Sequence, residues 1–315
     1  MDIESICLIG GTGFVGRSIA EHASTQGLRV RVVTRSAPRA RELLVLPTVE
    51  AMLADPNDEK SLARAFENID AVVNLAGILH EGGGATFRSV HIELPRKIAR
   101  ACRSAGVRHL LHMSALGASP EGPSEYLRSK AGGEAAVRES VGDPPVTIFR
   151  PSMIFGEHDR FLNLFATLAR VFPVIPLGGA HARFQPVWVE DVARCFVAAL
   201  GDSRTFGQVY GLCGPHAYTL EEMVRFVAAI LGRKPRIVAL PASLATLQAL
   251  VFEHLPGKLL TRDNLRSMSM DNVCGASFPA VFGFEPSSLE SVAAEYLVGT
   301  GTRARYKQFR NFAGR

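Results

Sequence analysis

The chain has 315 residues, of which 47% are hydrophobic and 21% are charged, and this composition excludes a mainly disordered protein. Its formal net charge of +5 is compatible with an anionic ligand or an anionic membrane surface, but no block of basic residues interleaved with aromatics indicates nucleic-acid binding. Five cysteines without a Cys-x-x-Cys pair argue against a secreted disulfide scaffold and against a metal site.

The sequence also bears on where the protein resides. No apolar run reaches the roughly 18 residues of a transmembrane helix, and a strand-like run close to the N-terminus leaves no room for a signal peptide. We therefore expect a cytoplasmic protein and leave open a peripheral contact with the inner face of the membrane.

Short apolar runs, often rich in β-branched residues, alternate with helical segments over the first half of the chain. The first helical segment ends at Gly27, a residue type common at helix C-termini. Short continuous apolar runs fit strands that are buried on both faces. Their alternation with helices predicts an α/β Rossmann fold with a doubly wound parallel sheet. The predicted strands are residues 6–10, 28–33, 49–53, 71–77, 109–114 and 146–149.

The pattern loosens after residue 150, which indicates a smaller C-terminal lobe that covers the substrate. Within it, Thr219 and Glu222 have the spacing of a capping box and predict a helix start. We expect a dinucleotide-binding core at 1–150 with 186–214 returning to it, a substrate lobe at 151–185 and 215–300, and a basic tail at 301–315.

An apolar segment at 239–260 carries only sparse charge. Such a segment can lie on a membrane surface, line a lipophilic pocket or form ordinary core, and the sequence leaves these three interpretations open.

A glycine-rich loop joins the first predicted strand to the first predicted helix. Gly11, Gly13 and Gly16 have the spacing Gly-x-Gly-x-x-Gly, and Gly10 adds a related pattern. Glycines in this context permit a tight turn and close approach to a pyrophosphate, which the helix N-terminus attracts. The loop therefore predicts dinucleotide binding by Gly10, Gly11, Thr12, Gly13, Phe14, Val15 and Gly16.

The end of the second predicted strand bears on the choice of cofactor. Dinucleotide folds that select NAD usually place an acid there, where it binds the ribose 2′-hydroxyl. This chain has Thr34, Arg35 and Ser36 instead. Because an arginine can pair with a 2′-phosphate, the sequence favours NADP(H) over NAD(H).

Three polar residues form a candidate catalytic group. Tyr126 and Lys130 are four residues apart and share a helix face, and a nearby ammonium is expected to lower the tyrosine pKa. Ser114 ends a predicted strand at the sheet edge where such folds bind ligands. A surface pair and a turn-capping serine are the alternatives.

Four motifs and one residue follow the order found in the short-chain dehydrogenase/reductase superfamily, namely GGTGFVG, NLAG, Ser114, YLRSK and FRPSMIFG. The chain resembles the extended and atypical branch of that superfamily. The resemblance implies that Tyr126 is the acid–base residue, that Ser114 polarises the substrate, and that Lys130 holds the nicotinamide ribose. It further implies that Asn74, Ala76, Gly77 and Pro151 belong to the cofactor cleft and that Asp55 lies near the adenine. Many members carry an asparagine on a helix that orders a water molecule for proton relay, whereas this chain has His91 in that neighbourhood. His91 can support such a relay or can be a packed helix residue.

Over nearly its whole length the chain is similar to the group containing the NADPH-binding accessory subunit of respiratory complex I and its bacterial relatives. The resemblance implies a possible partner in a respiratory complex or in ubiquinone biosynthesis. Our first hypothesis is an NADP(H)-dependent oxidoreductase acting on a lipophilic carbonyl or quinone-like compound. The alternatives are a non-catalytic NADPH-binding accessory or assembly protein and a sugar-nucleotide epimerase or dehydratase.

Overall fold

A computed structural model describes residues 2–139, 144–254 and 260–298. Its strands in chain order are β1 (Ser5–Ile9), β2 (Arg29–Thr34), β3 (Val49–Leu53), β4 (Ala71–Asn74), β5 (His109–Met113), β6 (Val146–Pro151), β7 (Ile154–Phe155), β8 (Val174–Leu177), β9 (Arg183–Phe184), β10 (Val187–Trp188), β11 (Val209–Leu212), β12 (Tyr218–Thr219) and β13 (Arg236–Ala239). Its helices are α1 (Phe14–Thr25), α2 (Ala37–Ala40), α3 (Glu59–Ala65), α4 (Leu94–Ala105), α5 (Glu125–Arg138), α6 (Phe161–Val171), α7 (Val189–Ala199), α8 (Leu220–Ile230), α9 (Ala242–Glu253), α10 (Arg262–Ser267) and α11 (Leu289–Leu297). The predicted basic tail lies outside the described residues, as does part of the apolar segment at 239–260.

The central element is a seven-stranded sheet in the order β11-β6-β5-β4-β1-β2-β3, and every neighbouring pair in it is parallel. All residues of β1 and β4 are buried, as expected of strands covered on both faces. The predicted Rossmann fold is therefore confirmed. The strand order reverses between β1 and β4, and in such sheets ligands bind outside the carboxyl ends of the strands at this point.

The helices α3, α4 and α5 form because their apolar residues face this sheet, and side chains cap the N-termini of α3 and α5. Leu62 of α3, Ile98 of α4 and Val137 of α5 share one core cluster with Val72 and Leu110 of the sheet. The predicted capping box of α8 is present, with both reciprocal hydrogen bonds formed between Thr219 and Glu222.

The chain divides into two compact units. The first comprises Met1–Pro151, Val189–Leu212 and Cys274–Phe284, and the second comprises Ser152–Trp188, Cys213–Val273 and Glu285–Arg315. The sequence-based division does not include the return of residues 274–284 to the first unit.

Aromatic and cation–π contacts hold the C-terminal part of that segment against the first unit. Phe282 packs against Phe149 and Tyr210 at ring-centroid distances of 5.9 and 5.1 Å, and the Arg194 guanidinium lies 3.7 Å from the centroid of the Phe284 ring. Because the segment has neither a strand nor a long helix, no periodic pattern in the sequence could indicate it.

The second unit contains three two-stranded sheets, β10-β7, β12-β9 and β13-β8. Its core joins α6, α8 and α11 through residues such as Phe165, Met223 and Ala293. Within the described part of the chain, every helix is too short or too polar to cross a membrane.

Candidate functional site

The loops after β1 and β4 meet at the strand-order reversal. Gly10 has a φ of +85°, and a Cβ placed on it would lie 3.1 Å from the backbone nitrogen of Ala76 and 3.1 Å from the carbonyl carbon of Leu75. A larger residue would strain the backbone and push these two loops apart. Gly10 therefore lets the glycine-rich loop lie directly against the loop that carries Ala76 and Gly77.

Gly11 and Gly16 are required by the packing of the protein itself. A Cβ on Gly16 would lie 2.5 Å from the Cα of Gly11, and a Cβ on Gly11 would lie 2.8 Å from the Cβ of Leu8. These glycines hold α1 close to the sheet. The binding of a ligand must therefore be argued from the polar groups of this loop and not from its glycines alone.

The N-terminus of α1 has the properties of an anion site. Its N-cap residue Gly13 provides no side-chain hydrogen bond, and the first turn contains no acid. The first backbone N–H groups of a helix have no partner within the helix, and they carry partial positive charge. Residues 10–16 thus fit the pyrophosphate of a dinucleotide.

The turn after β2 is fixed by Thr34, whose hydroxyl accepts a hydrogen bond from the Ser36 backbone nitrogen at 3.2 Å. Arg35 is exposed and takes part in no ion pair within the described ranges, so its guanidinium can pair with an anionic ligand. Asp55 is also exposed, and its Oδ1 accepts hydrogen bonds from the Asn57 backbone nitrogen and side-chain amide, both at 3.0 Å.

Ser114 follows β5 directly and has a buried hydroxyl. Its backbone nitrogen donates to the Phe149 carbonyl at 2.7 Å, but its Oγ has no hydrogen-bond partner within the described protein. A buried polar atom without a partner is costly. A ligand oxygen that bonds to Ser114 would remove this cost, so the residue fits a substrate carbonyl.

Lys130 is buried on α5 and reaches the end of β5, where its Nζ donates to the Met113 carbonyl at 2.8 Å. An ammonium has three donors, and this contact uses one of them. A Cβ on Gly77 would lie 3.8 Å from Nζ. The lysine therefore lies beside the loop after β4, at the carboxyl edge of the sheet.

Burial decides the titration of both residues of the Tyr-x-x-x-Lys motif. It lowers the pKa of Lys130 to about 8, an effect that the Glu134 carboxylate opposes. It raises the pKa of Tyr126 to about 12. The expected lowering of the tyrosine pKa by Lys130 is therefore wrong for this arrangement, because burial of the phenol disfavours its charged form.

His91 connects the loop after β4 to the candidate catalytic helix. Its Nε2 accepts from the Ile78 backbone N–H at 3.0 Å, so the ring proton is on Nδ1, which donates to the Ser129 Oγ at 2.8 Å. The Ser129 hydroxyl in turn donates to the Tyr126 carbonyl at 2.7 Å. Burial, followed by the charge of Lys130, lowers the pKa of His91 to about 3. With both nitrogens in structural bonds, His91 matches the packed interpretation better than the relay.

Asn74 shapes the same loop from the end of β4. Its side-chain amide donates to the buried Nδ1 of His112 at 3.0 Å, and its Oδ1 accepts from the Ala76 backbone nitrogen at 3.2 Å. On the neighbouring part of β5, the His109 Nε2 lies 2.9 Å from the Thr147 hydroxyl. Both strand histidines thus form hydrogen bonds to other side chains.

The structure brings the predicted residues Gly77 and Lys130 together at the carboxyl edge of the sheet, next to His91. Pro151 ends β6, and its carbonyl accepts from the Leu116 backbone nitrogen at 2.9 Å. Sequence reasoning missed Ser129, and its position inside YLRSK was the available signal. Thr34 ends β2, Arg35 and Ser36 follow it, and Asp55 lies two residues after β3. Because β1, β2 and β3 are parallel neighbours, these residues lie at the same carboxyl edge of the sheet, on the side of β1 opposite to β4.

Comparison with known proteins identifies relatives. A family described as NAD(P)H-binding matches residues 10–202. The chain is 32% identical to NADH dehydrogenase (ubiquinone) 1 alpha subcomplex subunit 9 of Mus musculus, over 92% of this chain and 78% of that protein. It is 34% identical to the same subunit of Arabidopsis thaliana, over 77% of this chain but 61% of that longer protein.

One further relative and one solved structure widen the comparison. A ceramide reductase of Caulobacter vibrioides is 33% identical over 75% of this chain and 73% of that protein. A dTDP-glucose 4,6-dehydratase of Streptomyces venezuelae, solved with NAD bound, superposes with a TM-score of 0.74 at 19% identity and covers 98% of both chains. At that identity the superposition shows a shared fold.

Proposed function

Because this chain belongs to the NAD(P)H-binding short-chain dehydrogenase/reductase family, we propose that it is an NADP(H)-dependent oxidoreductase acting on a lipophilic carbonyl or quinone-like compound. The observation that carries the proposal is the buried Ser114 hydroxyl, which has no hydrogen-bond partner within the described protein. Ser114 directly follows β5, and the last carbonyl of that strand accepts a hydrogen bond from Lys130. A hydroxyl in this state is ready to bind a substrate oxygen at the sheet edge.

The cofactor would be held by three groups of residues. The N-terminus of α1 would bind the pyrophosphate through its backbone N–H groups. Arg35 would pair with the 2′-phosphate that distinguishes NADP(H) from NAD(H). Lys130 would bind the nicotinamide ribose with the donors that Met113 does not use. When bound, the nicotinamide supplies or accepts the hydride.

The protein would supply the proton and position the substrate. Ser114 would donate a hydrogen bond to the carbonyl oxygen, and Tyr126 would protonate that oxygen as it gains charge. A phenol with a pKa of about 12 stays protonated at neutral pH and can act as the donor. Lys130, with a pKa of about 8, keeps its charge below that pH, so we expect turnover to fall as the pH rises above it.

Two observations support a lipophilic substrate and the choice of an oxidoreductase. One relative is named a ceramide reductase, and a ceramide is a lipid. The chain also has all three residues that a hydride-transferring enzyme of this family requires, namely Ser114, Tyr126 and Lys130.

A second candidate function is a non-catalytic NADPH-binding accessory protein, with a respiratory complex or quinone-biosynthetic proteins as partner. Relatives named as subunits of NADH dehydrogenase (ubiquinone) favour it. The high pKa of Tyr126 is compatible with it as well, since a cofactor clamp needs no proton transfer.

The test is to denature the purified protein, identify the released nucleotide, and measure NADPH oxidation with short-chain quinones and lipophilic ketones. We expect bound NADP(H), and turnover that falls at least about 100-fold in Tyr126→Phe. The matched control is Tyr210→Phe on β11, which removes a hydroxyl that donates a long hydrogen bond of 3.5 Å to the Arg204 carbonyl. Bound NADP(H) without turnover across the panel would favour the accessory function, and bound NAD(H) would refute the role of Arg35.

A further inference from the structure

The helix α9 in the second unit buries its small residues and exposes its large ones. Its buried positions are Ala245 and Ala249, one helical turn apart. By contrast, Leu244, Leu247 and Val251 are 49%, 55% and 52% exposed. A helix on a water-exposed surface normally turns its large aliphatic side chains towards the core. The distribution in α9 indicates that its outer face meets an apolar environment.

The small sheet formed by β8 and β13 extends this apolar surface. Its partners Val238 and Pro176 lie side by side, and Val238 and Val174 are exposed. Gln248 of α9 fixes the helix to the strand, since its side-chain amide donates to the Pro176 carbonyl at 2.9 Å. Phe172, two residues before the start of β8, is exposed as well. These side chains and those of α9 therefore belong to one part of the second unit.

The unpaired charges around this surface are basic. Arg233 and Lys234 before β13 and Arg236 at its start are exposed and form no ion pair with any described residue. No acidic residue occurs at positions 160–182 or 223–252, and Glu253, the last residue of α9, forms an ion pair with Arg262 at 3.0 Å. The surface therefore combines exposed aliphatic side chains with basic residues that no acid neutralises.

We propose that this surface binds an anionic lipid bilayer, with α9 lying in the plane of the interface. The aliphatic side chains of α9 enter the boundary between headgroups and acyl chains, and Arg233, Lys234 and Arg236 bind lipid phosphates. A second copy of this chain fits poorly, because a two-fold contact through this surface would bring like charges together. The inference is independent of the proposed function, since it uses no residue of the cofactor site.

The test is flotation of the purified full chain with vesicles of phosphatidylcholine, alone or mixed with phosphatidylglycerol. We expect binding to the mixed vesicles that weakens with added salt. The variant Leu244→Glu/Leu247→Glu should bind at least about tenfold more weakly. The matched control, Leu44→Glu/Val45→Glu, adds the same charge at two exposed aliphatic residues of the first unit and should reduce binding less.

The electrostatic part is tested separately with Arg233→Ser/Lys234→Ser, which leaves α9 unchanged and also serves if the leucine variant fails to fold. Each neutralised residue should weaken binding about fivefold. Equal binding by the two glutamate double variants, or a wild type that does not float with the mixed vesicles, would overturn the proposal. Self-association in sedimentation experiments without vesicle binding would assign the surface to a second copy and overturn it too.

Discussion

Acidification should destabilise this protein through its buried neutral histidines, and His91 has a pKa lowered far enough to make the effect measurable. The folded-state pKa of His91 is about 3, against a value of 6.5 for an exposed histidine. Between these values the unfolded chain binds a proton that the folded chain does not. Stability is therefore lost as the pH falls below 6.5, and the loss continues towards pH 3.

Between pH 7 and pH 5 the protonation of His91 in the unfolded chain lowers the free energy of unfolding by about 2 kcal/mol. The variant His91→Gln keeps an oxygen that can accept from the Ile78 N–H and an amide that can donate to Ser129, but it does not titrate. We expect its free energy of unfolding to fall by about 2 kcal/mol less than that of the wild type over this interval.

The assay is chemical denaturation followed by far-ultraviolet circular dichroism at pH 5, 7 and 8. His109 and His112, whose pKa values are also lowered by burial, are present in both proteins, so the comparison isolates His91. Between pH 7 and 8 the two proteins should respond alike, because the imidazoles are then neutral in both states. An equal loss in wild type and variant from pH 7 to 5 would refute the reasoning.

Three further predictions concern packing and cofactor choice. Gly16→Ala should lower the melting temperature and weaken nucleotide binding at least about tenfold in a titration, because its Cβ would lie 2.5 Å from the Cα of Gly11. Arg35→Ser should weaken NADPH binding about tenfold and leave NADH binding nearly unchanged; equal effects on both would contradict the assignment of Arg35. Glu134→Gln should cost about 2 kcal/mol or more in denaturation, since the buried Glu134 carboxylate accepts two bonds from Arg150, at 2.7 and 2.8 Å.

The sequence by itself determined the parallel Rossmann sheet and the class of cofactor. Both can be predicted from local patterns. Apolar runs that alternate with helices predict the sheet, and the glycine-rich loop between β1 and α1 predicts the cofactor class. The spacing of Tyr126 and Lys130 similarly places them on one helix face, because helical neighbours are set by distance along the chain.

Only the tertiary structure decided which groups contact Tyr126, Lys130 and His91 and how deeply these residues are buried. The Lys130 contact with the Met113 carbonyl joins residues 17 positions apart, and the His91 bond to Ser129 joins residues 38 apart. Such contacts depend on which strands and helices become neighbours, and no local pattern encodes them. Burial likewise depends on the packed core, and for this reason the pKa of Tyr126 rises where the isolated motif predicts a fall.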